Sequence, residues 1–155
     1  MSNLLNARIT KNDDLICLFN THNFDSLFKD KHRLFLAWLY TESGHDQYCV
    51  RYEPQYRYID KKQYDDFREK LSYGLFQMMG ANLFQLGLPE SQLENFLSDA
   101  ALQFHYARLF LKKCPSTDIN ENLRWWNTGS TRQSNASDNY LAKIYTNIRL
   151  FSNVK

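Results

Sequence analysis

Residues 60–114 constrain the fold most, because they place apolar residues at helical spacing on either side of a Gly87-Leu88-Pro89 break. In the first half Tyr64, Phe67, Leu71, Leu75, Met78, Met79 and Leu86 recur at three- and four-residue steps, which predicts an amphipathic helix over 61–86. Asp60 and Gln63 match a capping box, and Gly87 supplies the stop. In the second half Leu93, Phe96, Leu97, Ala100, Ala101, Phe104, Ala107, Phe110 and Leu111 predict a helix over 90–113. Glu90 and Glu94 suit the positive end of its dipole, Lys112 and Lys113 the negative end, and Pro115 cannot continue it. So short a connection makes the two helices antiparallel neighbours. The fold class that follows is mainly α: one domain spanning 1–155, a bundle of about five to seven helices around the pair 61–86 and 90–113.

Before that pair, Leu15, Ile16, Leu18 and Phe19 predict a helix over 13–20, with Phe24, Leu27 and Phe28 adding a short turn. Residues 31–41 are apolar almost all round, which predicts burial at the centre of the bundle and a stop at Gly44. Between 47 and 59 the period falls to two: Tyr48, Val50 and Tyr52 alternate with Gln47, Cys49 and Arg51, and Tyr56 and Tyr58 with Gln55 and Arg57. That is strand chemistry, predicting a small β-hairpin over 47–59 or an extended loop. After Pro115, Asp118-Ile119-Asn120-Glu121 predicts a capped short helix carrying Leu123, Trp125 and Trp126. Residues 127–137 are polar and expected to form a mobile loop, and Tyr140, Leu141, Ile144, Tyr145, Ile148 and Phe151 predict a closing helix over 137–151.

With 155 residues, one domain with one core is expected. Aromatic content is high at 15%, so some rings should lie near the surface. Cys17, Cys49 and Cys114 are odd in number and widely spaced, resembling neither a disulfide framework nor a zinc site, and a reducing cytoplasm is the expected home. No stretch approaches the roughly 20 apolar residues of a membrane span, and Met1-Ser2-Asn3-Leu4 does not begin like a secretion signal, so a soluble chain without a membrane partner is expected. The net charge of +2 hides a polarity: residues 1–100 carry eleven Lys/Arg against fourteen Asp/Glu, and residues 101–155 carry eight against three.

His22, His32, His45 and His105 never stand three or four residues from one another or from a cysteine, so no metal site or acid–base pair is predicted. The five glycines form neither G-x-G-x-x-G nor a P-loop. Gly74 and Gly80, inside the predicted first helix, are read as permitting a close helix crossing near Met78 and Met79. Asp65, Asp66 and Glu69 lie among Lys61, Lys62, Arg68 and Lys70 as a self-paired solvated face. No catalytic residue, metal ligand or cofactor is therefore expected. What remains is a recognition surface: Arg51, Tyr52, Tyr56, Arg57 and Tyr58, together with Arg124, Trp125 and Trp126, residue types that give large contact area and forked hydrogen bonding. Two adjacent indoles cannot both face inward on a short helix, so one is expected to be exposed or half-exposed and available to a partner.

The expectation is a non-enzymatic protein-binding module of the bacterial cytoplasm. Its most concrete form is an immunity protein that neutralises a cognate toxin domain, such as a nuclease of a contact-dependent or secreted competition system, encoded by an adjacent gene. The alternative is a nucleic-acid-binding or phage or plasmid regulatory protein using Arg108, Lys112, Lys113, Arg124, Arg132, Lys143 and Arg149.

Overall fold

The computed structural model, which describes Ile9, residues 11–53 and residues 67–155, is mainly helical with a small antiparallel sheet. In chain order its elements are α1 (Asn12–Thr21), α2 (Asp25–Phe28), α3 (His32–Ser43), β1 (Val50–Tyr52), β2 (Leu71–Tyr73), β3 (Met78–Met79), α4 (Gly80–Gln85), α5 (Leu93–Ser98), α6 (Ala100–Leu111), α7 (Ile119–Thr128) and α8 (Asn135–Asn147). Short 3-10 turns occupy Phe67–Lys70, Glu90–Gln92 and Ile148–Phe151. The chain divides into two units, a helical one of residues 11–41 and 108–155 and a sheet-bearing one of residues 1–10 and 42–107.

Aromatic packing holds the helical unit together. Phe19, Phe24, Phe28, Phe35 and Trp38 are all buried to within 1% exposure, and Phe35 meets three of these rings edge-on or tilted: Phe19–Phe35 centroids lie 4.8 Å apart, Phe24–Phe35 5.1 Å and Phe28–Phe35 5.3 Å. Such pairs contribute about 0.5–1.5 kcal/mol beyond their apolar burial. The all-round apolar character of 34–39 is thereby explained: all six residues are buried. Helix ends are finished locally. The Asp118 carboxylate accepts the Glu121 amide at 3.0 Å, and Ser134 and Ser137 cap α8 reciprocally. Gly129, at φ 76°, ends α7 in the left-handed region and donates its amide to the Trp125 carbonyl. The polar connection is thus shorter than 127–137, running between Thr128 and Asn135, and Ser137 is buried.

The sheet-bearing unit depends on a side chain that sequence patterning passed over. Gln103, on α6, is fully buried. Its Oε1 accepts the Leu75 amide at 2.8 Å, and its Nε2 donates to the carbonyls of Gln47 (3.0 Å), Phe96 (3.0 Å) and Leu97 (3.2 Å). The last two belong to α5, whose final turn leaves carbonyls without intrahelical partners. Buried Gln47 completes the arrangement: its Oε1 accepts the Ile9 amide at 2.7 Å and its Nε2 donates to Leu97.

Mainly helical architecture with a small sheet agrees with the sequence reading, but its centrepiece, the antiparallel pair 61–86 and 90–113, is corrected. Residues 71–79 form the β2–β3 hairpin, with Ser72 opposite Met79 and Tyr73 opposite Met78, and among the described residues of the predicted helix only 80–85 are α-helical. The turn places Gly74 at φ 82° and Gln77 at φ 51°, both outside the helical range. Leu75 and Phe76 at its tip are buried, so apolar residues line up at helical spacing without a helix. Gly74 and Gly80 do mark close approaches, though not a helix crossing: a Cβ at Gly74 would sit 2.7 Å from Gln103 Cδ, and one at Gly80 would strike the Arg68 carbonyl. The second predicted helix is broken at Asp99, which has φ −120° and ψ 94° and caps α6 by accepting the Leu102 amide at 3.1 Å. β1 pairs with β2, Val50 opposite Tyr73 and Tyr52 opposite Leu71. The Asp60–Gln63 capping box and residues 54–59 of the expected hairpin lie outside the described residues.

Gln103→Leu keeps the bulk but leaves the Leu75 amide without its acceptor and removes the donor shared by three carbonyls. It should lower stability by about 3 kcal/mol, read as a lower urea midpoint at unchanged slope.

Candidate functional site

β1 is the exposed strand of the small sheet. All three of its residues are exposed, and Val50 and Tyr52 project to the same side of the strand with Arg51 on the other. Exposure reaches 52% at Tyr52, 42% at Val50 and 38% at Tyr48, which precedes the strand. Large apolar groups are thus concentrated in one five-residue segment of the sheet-bearing unit.

The segment is held from behind. The Cys49 carbonyl accepts the Gly74 amide at 2.8 Å and Gln77 Nε2 at 3.0 Å, and the Glu53 amide donates to Lys70 at 3.0 Å, so both ends of β1 are fixed to the hairpin. Ser72 Oγ donates to Glu53 Oε1 (3.1 Å) and Gln77 Oε1 (2.8 Å). The Asp46 carboxylate accepts the Tyr48 amide at 3.0 Å. A partner docking on these rings therefore meets a surface whose backbone order is already established, which reduces the entropic cost of binding.

Of the eight predicted contact residues, Arg51 and Tyr52 lie on this surface, whereas Tyr56, Arg57 and Tyr58 lie outside the described residues. Arg124, Trp125 and Trp126 belong to the helical unit and play a different part. Trp126 meets Trp38 edge-on at 5.1 Å, and both indoles contact Phe110, Trp125 at 4.9 Å and Trp126 at 5.4 Å. Both indoles are half-buried and grip one phenyl ring between them. The Arg124 Nε is buried.

Two of the seven basic residues considered for nucleic acid are likewise committed to the fold. Arg108 donates from Nε to the Asn23 carbonyl at 3.1 Å and from its guanidinium to Ser26 Oγ at 2.9 Å, fastening α6 to the loop between α1 and α2. Burial lowers its pKa, and the charge of nearby Asp25 offsets part of that effect. Arg124 is the second. Burial also raises the pKa of Cys114, against a lowering hydrogen bond from the Ser116 backbone. Lys112, Lys113, Arg132, Lys143 and Arg149 remain exposed.

Among the described residues no group of three or more His, Cys, Asp or Glu could hold a metal ion, and no helix is long and apolar enough to cross a membrane. No protein-family model, curated protein or solved structure matches this chain.

Trp126→Ala removes the ring that covers Trp38 and should destabilise the protein by about 3 kcal/mol. Trp125→Ala, which loses only the Phe110 contact, should cost about half as much in the same chemical denaturation experiment; equal costs would contradict the distinct placements.

Proposed function

We propose that this chain is a non-enzymatic protein-binding module of the bacterial cytoplasm, and that the exposed Tyr48, Val50, Arg51 and Tyr52 segment is its contact surface. The observation that carries the reading is the concentration of large exposed side chains on a strand whose two ends are fixed by backbone hydrogen bonds. Tyrosine and arginine are enriched among residues that dominate binding energy, because each combines broad apolar contact with hydrogen bonding. The sheet-bearing unit carries seven Lys/Arg against ten Asp/Glu, a net −3 that favours encounter with a basic partner.

In its concrete form the partner is a toxin domain encoded by the adjacent gene and the chain is its immunity protein. A nuclease domain fits, since proteins that bind nucleic acid carry basic surfaces. Neutralisation then requires steric coverage of the toxin and no reaction by this chain.

Expression of the adjacent reading frame alone should arrest growth, and co-expression of this chain should restore it. Normal growth in both cases contradicts the toxin reading. With that product as ligand, Tyr48→Ala combined with Tyr52→Ala should weaken binding by about 2 kcal/mol or more in calorimetric titration; an unchanged Kd would remove the β1 segment as the contact surface.

A further inference from the structure

The helical unit carries twelve Lys/Arg against seven Asp/Glu, a net +5, and part of that charge gathers in a groove. This groove, about 430 Å³ in volume, brings Lys31 and Arg33 at the start of α3 together with Lys155, over Leu34 and beside Tyr145, with Asp30 the one acidic side chain in its lining. Sequence position conceals the grouping, since Lys31 and Arg33 lie within residues 1–100, whose overall balance is acidic.

The Arg33 guanidinium, the backbone of Lys155 and the ring are positioned by hydrogen bonds. Arg33 Nε donates to the Val154 carbonyl at 2.6 Å, and His32 Nδ1 lies 3.3 Å from the Lys155 carbonyl oxygen, so the backbone that bears Lys155 is fastened to α3. Tyr145 is 44% exposed, yet its hydroxyl donates to Asn120 Oδ1 at 2.6 Å. Its ring is therefore held at one end while much of its surface stays open. A second groove of about 450 Å³, lined by Tyr40, Ala142, Thr146 and Asn147 among others, carries the single charge of Lys143.

We infer that the groove formed by Lys31, Arg33, Lys155 and Tyr145 binds single-stranded nucleic acid, with phosphates against the three cations and a base stacked on the Tyr145 ring. The volume falls within the range of about 300–1,000 Å³ typical of small-ligand sites and accommodates one nucleotide of a longer strand. A positioned aromatic ring among cations is the arrangement that sequence-tolerant strand binding uses. An acidic polypeptide would engage the cations but gain nothing specific from the ring. This inference goes beyond the protein-binding reading and does not rest on it: the unit, the residues and the ligand all differ.

The test is fluorescence anisotropy of the full chain with a labelled oligo-dT or oligo-U, titrated across a salt series. Three phosphate contacts should give a slope of about −2 for log affinity against log salt. Lys31→Glu, at an exposed position that leaves the packing intact, should flatten that slope and weaken binding about tenfold. Tyr145→Ala should weaken binding about tenfold, whereas Tyr145→Phe, which keeps the ring, should stay within about twofold. Lys143→Glu, in the other groove, should change little. The inference is overturned by absence of binding at low salt, by variants that bind like the parent, or by poly-glutamate displacing the strand as well as an unlabelled oligonucleotide does.

Discussion

The Gln103 carboxamide is the interaction on which the sheet-bearing unit depends. One planar group with an acceptor and two donors takes the Leu75 amide at the hairpin tip, the Gln47 carbonyl and the last carbonyls of α5. Each of these backbone groups would otherwise be buried without a full complement of partners, at a cost of about 1–3 kcal/mol apiece. The break at Asp99 and the closeness of Gly74 follow from the same requirement: α5 must end where its carbonyls meet Gln103, and the hairpin must approach without a Cβ. The exposed strand lies one hydrogen-bonded step away, since the Cys49 carbonyl is gripped by Gly74 and Gln77.

α7 and α8 lie close to their predicted spans because a stripe of apolar residues and a local cap were both present, and α1 and α3 because their apolar runs were long enough to mark them. Leu71 to Met79 misled because nearly every residue in it is buried, so any spacing can be found among its apolar positions. Gly74 was the local sign of the turn, and its cost inside a helix was visible. Gln103 was visible too: it sits on the same helical face as Phe96, Ala100 and Ala107, and a glutamine on a core stripe signals buried backbone groups in need of partners. Their identity required the fold.

Among the candidate contact residues, Arg51 and Tyr52 kept the alternation that marked them. Trp125 and Trp126 are half-buried, because Phe110 and Trp38 supply apolar partners from distant segments. The aromatic residues thus have two uses, Phe19, Phe24, Phe28, Phe35 and Trp38 cementing the helical unit while Tyr48, Tyr52 and Tyr145 stand exposed. The charge polarity seen along the sequence likewise becomes a difference between units, −3 for one and +5 for the other. The two proposed ligands follow that sorting: a basic protein for the exposed strand, and a polyanion for the groove beside Tyr145.

Amide hydrogen exchange in the unbound protein tests most directly whether the strand is presented on a preorganised scaffold. If the Gln103 carboxamide locks the hairpin, the amides of Leu75 and Gly74 exchange only through global opening and share the protection of buried α6 amides. Exchange of Leu75 at the rate of an open loop, while α6 remains protected, would contradict the account.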